Sequence, residues 1–186
     1  GFTTGTPICA VIRNTNTRSK DYHPEILRPS HADYSGKLRY NGYNDYRGGG
    51  HFSGRITAPV VLAGAIAKQI LKNENIEIFS HIKNIGKIYD NAVDFVNPDT
   101  KVLRELKNKE LQFISDDKEK EAENAILAAR SDADSIGGSI ETVVMGIPGG
   151  IGSPFFESVE SRIASMMFSV PAVKAVEFGV GREISE

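Results

Sequence analysis

A chain of 186 residues, 40% hydrophobic and 25% charged, has enough apolar material for one core, so a single domain over 1–186 is the expectation. Its 22 basic and 24 acidic residues leave a formal charge of −2, which provides no global field for nucleic acid or a membrane surface, so any anion must be held by a local cluster. The lone cysteine excludes an internal disulfide, the first residues lack a signal peptide's charged and apolar regions, and the longest apolar stretch, 58–67, falls short of the ~20 residues that cross a bilayer; a cytoplasmic location is expected.

In chain order, 6–14 alternates and is rich in Ile and Val, which predicts a buried strand with Cys9 as a small interior hydrophobe. Residues 15–55 form a long polar stretch holding five of the six tyrosines. A loop of that length with so many aromatic side chains points to an ordered, functional segment. The strongest helix signal follows, with Thr57 as N-cap, Pro59 in the first turn and an almost wholly apolar run to Leu71. Such a helix is expected between layers. Residues 76–85 alternate as a half-exposed strand, and 86–114 give no clear assignment beyond a turn at Asn97-Pro98-Asp99. Asp116 and Glu119 suggest a capping box opening a helix to Arg130. A strand at 140–147, a helix from Pro154 to about Phe168 and a strand at 172–178 complete the chain. Absence of an initiator Met and a strand-like opening suggest a start inside a larger protein.

Two segments carry candidate chemistry. Arg47-Gly48-Gly49-Gly50-His51-Phe52-Ser53-Gly54-Arg55 feeds directly into the apolar helix. Glycines allow close backbone approach, a helix start offers N–H groups, and two arginines match phosphate or carboxylate, so the segment reads equally as an anion cradle or as a flexible turn before a helix. No Gly-Lys-Ser/Thr follows, so it is not a nucleotide P-loop. In Arg28-Pro29-Ser30-His31-Ala32-Asp33-Tyr34, His31 can exchange a proton near working pH and Asp33 stands where it could orient the ring, although the heptad taken alone fits an ordinary solvated loop histidine better. His23 and His81 read as structural or surface residues. No metal site is expected, because the acidic spacing at 132–135 lacks the later ligands of a calcium loop.

These segments, in this order, resemble chorismate synthase. The family pattern Arg-Pro-Gly-His-Ala-Asp-Tyr is matched at 28–34 with Ser30 in place of Gly. The pattern Asp-Tyr-Arg-Gly-Gly-Gly-Arg-x-Ser-x-Arg-Glu-Thr is matched at 45–57, with His51 for Arg and Ile56 for Glu. Ala63-Gly64-Ala65-Ile66-Ala67-Lys68, Asp134-Ser135-Ile136-Gly137-Gly138 and Gly146-Ile147-Pro148-Gly149-Gly150-Ile151-Gly152 also match, while Arg182 stands where the family has Phe. The resemblance implies an α+β fold, a layered β-α-β sandwich with long buried helices packed between antiparallel sheets. It implies a carbon–oxygen lyase that converts 5-enolpyruvylshikimate 3-phosphate to chorismate and phosphate with reduced FMN and an NADP link, in a cytoplasmic homotetramer. By the same resemblance His31 is catalytic, His51, Phe52 and Ser53 contact the flavin, and Arg55 and Arg47 face the phosphorylated substrate. The family's Gly-Glu-Ser-His-Gly segment is not among these residues, so the 186-residue chain by itself is expected to lack activity. A non-catalytic flavin- or phosphate-binding module is the alternative from another class, and a purely structural oligomerisation domain is a third.

Overall fold

The computed structural model describes residues 2–185. The chain is α+β and divides into two compact units, residues 67–149 and residues 2–66 with 150–185.

The unit at 67–149 holds the sheet. Strand β1 (Glu77–Ile85) lies between β2 (Ile88–Tyr89) and β3 (Gly138–Met145), and both pairings are antiparallel. Pleating separates the pairs by face. Phe79 opposite Val143 and His81 opposite Glu141 point inward, while Ile82 opposite Ile140 and Ser80 opposite Thr142 take the other face. The expected strand is therefore present, but its isoleucine row is not the buried one. A single step in parity exchanges the two faces, and the partner set at 90–115 selects Phe79 and His81.

That partner set is the region with no clear assignment from sequence. Asp99 accepts from the N–H groups of Lys101 and Val102 and so caps α3 (Thr100–Glu105). Leu103 and Leu106 then pack with Phe79 and Val93, and Ile114, Val143 and Met145 flank the cluster. Arg104 pairs with Glu77 at 2.6 Å and lies over the Phe79 ring. Helix α4 (Asp116–Ser131) buries Ala122. Its cap is Ser115, which accepts from the Lys118 N–H, and not the expected Asp116; the Asp116 carboxylate instead pairs with Lys109 at 2.5 Å.

In the other unit, α1 (Asp33–Arg39) forms within the stretch that the sequence reads as a loop, and α5 (Val159–Phe168) starts at a Ser158 cap, five residues later than expected from Pro154. The strands expected at 6–14 and 172–178 do not form. A strand needs a hydrogen-bonding neighbour, and none pairs with either segment among the described residues. Cys9 is consequently exposed rather than interior.

Helix α2 (Thr57–Asn73) has the expected extent, but Thr57 is not an accepting cap: its hydroxyl donates to the Gly54 carbonyl at 2.7 Å. No residue of the helix is buried, contrary to the expected interior position. An all-round apolar helix is covered only when a layer packs on each side, and these residues by themselves do not build both layers. With its preceding turn, Gly54–Asn73 reaches the length and mean hydropathy, 1.2, of a membrane crossing by composition alone.

Candidate active site

The Arg28–Tyr34 segment is closed by one ion pair. Arg28 donates from Nε and Nη2 to the two Asp33 carboxylate oxygens, each at 2.9 Å, and its backbone N–H donates to Oδ2 at 3.0 Å. The guanidinium also lies 5.1 Å from the centroid of the Tyr22 ring. This two-toothed pair holds the Asp33 carboxyl down to about 2, with the Arg28 hydrogen bonds as the main cause. Asp33 also opens α1, where a negative charge favours the helix start.

His31 sits exposed on the loop that this pair closes. Asp33 does not hold the imidazole, as the sequence suggested. The ring Nδ1 is 2.9 Å from the Pro29 carbonyl oxygen, an acceptor only, so Nδ1 carries the hydrogen and Nε2 is left to exchange a proton. Ser30, at the family's glycine, has φ 60, a left-handed conformation costly for a residue with a Cβ.

The glycine turn is filled from within. Gly48, Gly49 and Gly50 all have positive φ. A Cβ on Gly48 would stand 2.5 Å from Arg55 Nη1, and one on Gly50 would strike the Asp45 carbonyl oxygen. The missing side chains thus make room for the turn's own groups. Arg55 donates from Nη1 to the Gly48 carbonyl at 2.5 Å, and Arg47 pairs with Asp45 at 2.8 Å, holding that carboxyl below its usual range. Both arginines remain exposed, with N–H groups left over for an anion. Ser53 accepts from the Arg55 N–H, and His51 is exposed.

Two close approaches bring the segments together. Arg28 Nη2 lies 3.6 Å from where a Gly49 Cβ would be, and the Phe52 ring lies against Gly36 of α1, leaving 2.9 Å to a Cβ there. A cavity of about 140 Å³ opens between them, lined by Tyr22, Arg28, Asp33, Asp45, Gly49 and Phe52 among others. Of the candidate site residues Phe52 lines it; His31, Arg47, His51, Ser53 and Arg55 do not. The sequence motif includes Arg28 but assigns it no role. The signal available was an Arg and an Asp bracketing a Pro-Ser turn.

The chorismate synthase family model matches residues 1–186. The chain belongs to the chorismate synthase family. It is 43% identical over 191 residues to the chorismate synthase of Pyrococcus abyssi, covering 100% of this chain and 51% of that one. Against the Methanobrevibacter smithii chorismate synthase it is 43% identical over 187 residues, covering 100% of this chain and 50% of the relative. A crystal structure of chorismate synthase superposes with a TM-score of 0.74 at 30% identity, covering 82% of this chain and 48% of that one. The chain therefore spans about half the length of the chorismate synthases it matches.

Proposed function

We propose that these residues form part of the site at which 5-enolpyruvylshikimate 3-phosphate loses phosphate to give chorismate, a lyase reaction of 1,4-anti elimination assisted by reduced FMN. Family membership supports the chemistry. One geometric observation supports the location: a single guanidinium, Arg28, closes the His31 loop through Asp33 and lines one cavity with Gly49 and Phe52 of the glycine turn.

The donor set suits the ligands. The substrate's phosphate and carboxylates need arginine forks, and Arg47 and Arg55 are both exposed and only partly engaged. His51, Phe52 and Ser53, adjacent on the same turn, would hold the flavin; Phe52 adds an aromatic face, 40% exposed. Reduced flavin, when bound, supplies electron density to the substrate ring as phosphate departs. His31 would exchange the associated proton at Nε2, the nitrogen left over by the Pro29 contact. The arginines stabilise the phosphate's charge as it leaves.

The rest of the site would come from the half of the relatives' length that this chain does not span, and the 186 residues alone would not turn over. We place α2 inside the completed protein, a cytoplasmic homotetramer, because a helix apolar on every side is stable in water only when covered. The single-domain reading belongs to that completed protein. A binding-only module is the second reading, favoured by the fact that Arg47 and Arg55 already have partners within the chain.

Chorismate and phosphate release by the protein at the relatives' full length, with reduced against oxidised FMN, tests the proposal. Equimolar chorismate and phosphate with the reduced form alone is the expected result; flavin binding without either product leaves the binding module.

A further inference from the structure

The Arg28–Asp33 pair does more than close a turn. His31 is exposed, its backbone N–H donates weakly to the Arg28 carbonyl at 3.3 Å, and its ring is held by one bond to the Pro29 carbonyl. Both of those carbonyls belong to the segment bracketed by the pair. Ser30, which follows them and precedes His31, occupies a left-handed conformation that it adopts only under constraint. The constraint is the clamp: three hydrogen bonds from Arg28 to one carboxylate, which is itself fixed at the first turn of α1. The same guanidinium is buttressed by the Tyr22 ring and shares a cavity wall with Gly49.

We propose that Asp33 is a positioning residue for His31: by anchoring Arg28 it holds the Pro29 carbonyl against Nδ1, fixing the neutral ring in the Nδ1–H tautomer and presenting Nε2 as the proton-exchanging nitrogen. The value of this to catalysis rests on the function proposed above, but the tautomer itself does not. In water a free histidine side chain prefers the opposite tautomer, so the clamp reverses an intrinsic preference. Arg28 serves as the joint, because the same side chain that sets the His31 loop also lines one cavity with Gly49 of the glycine turn.

The test is ¹⁵N NMR of the His31 ring in the protein at the relatives' full length, carrying ¹⁵N-labelled histidine, under conditions where the ring is neutral and with no flavin or substrate present. The parent is expected to show Nδ1 protonated and Nε2 bare. D33N is expected to raise the Nε2–H population relative to Nδ1–H about fivefold, the ratio that matches one ordinary hydrogen bond's net contribution. R28K keeps the charge but loses the fork, and should shift the ratio in the same direction by less. In the R28K/D33N double variant the two effects should not add. E25Q, which removes the exposed Glu25–Lys37 pair of the same unit, should leave the ratio unchanged. Should D33N lose its folded amide dispersion, R28K carries the test. A parent ratio like that of free histidine, or clamp variants indistinguishable from E25Q, would overturn the proposal. Because no turnover is read, failure here is separate from failure of the lyase reading.

Discussion

Arg55 donates from Nη1 to the carbonyl oxygen of Gly48 at 2.5 Å, so the arginine closes the same glycine turn that it follows. The bond occupies one donor of a side chain whose expected partner is the substrate's charge. R55A is expected to weaken binding of 5-enolpyruvylshikimate 3-phosphate to the full-length protein by ten- to a hundredfold, the scale of one charge-assisted hydrogen bond, about 1.5–3 kcal/mol. R55K restores charge without the fork and should fall between. Titration calorimetry reads both, and parent-like affinity in R55A would remove Arg55 from the site.

Ser30 stands with φ 60 where the family has glycine. S30G should relieve the left-handed strain and raise the chain's stability, though glycine's greater freedom when unfolded offsets part of the gain; about 0.5–1 kcal/mol is expected from urea unfolding. At Gly50 the opposite holds, since a Cβ would strike the Asp45 carbonyl. G50A should destabilise by about 2 kcal/mol or more.

The Asp33 carboxyl is held down to about 2, chiefly by Arg28, against an ordinary value of 3.8. A carboxyl depressed on folding contributes stability that is fully present above its unfolded value and lost as pH falls through its folded one. The window is therefore from about pH 4 down to about pH 2. After allowance for solvent screening, D33N should lack about 1 kcal/mol of the parent's stability at neutral pH, with the gap closing across that window. A gap between D33N and the parent that does not change with pH would contradict it.

His81 lies in the other unit, 2% exposed, with Nδ1 at 3.1 Å from Asp90 and Nε2 at 3.0 Å from Glu141. Asp90 in turn accepts from the N–H groups of Ile114 and Ser115, tying the 113–115 loop to the sheet. Replacing the ring by a hydrocarbon would leave two carboxylates facing an apolar gap. H81L is expected to cost about 3 kcal/mol or more, read by thermal or urea unfolding, because breaking a buried pair strands its charge.

How much of this was legible in the sequence depends on whether the cue was local. The extent of α2, the existence of α4 and the pairing strands near 77–85 and 138–145 follow from periodicity and composition, which act within one element. The face that β1 buries does not. Phe79 and His81 are inward because Leu103, Leu106 and Asp90 lie against them, contacts made across more than a loop's length. The apparent strand at 6–14 fails for a related reason: Ile and Val permit a strand, but pairing makes one. At the candidate site, the motifs single out the two segments, but the arginines' own partners, Asp45 and the Gly48 carbonyl, and the Arg28–Asp33 clamp depend on side-chain direction, which spacing does not state.

The role assigned to His31 is tested most directly by the turnover number of the full-length protein carrying H31N, measured with reduced FMN and saturating substrate. A proton-exchanging group accounts for about 10²- to 10⁴-fold in rate, so turnover should fall by that factor while substrate affinity stays within about threefold of the parent. Chorismate formation by H31N within tenfold of the parent would contradict the account.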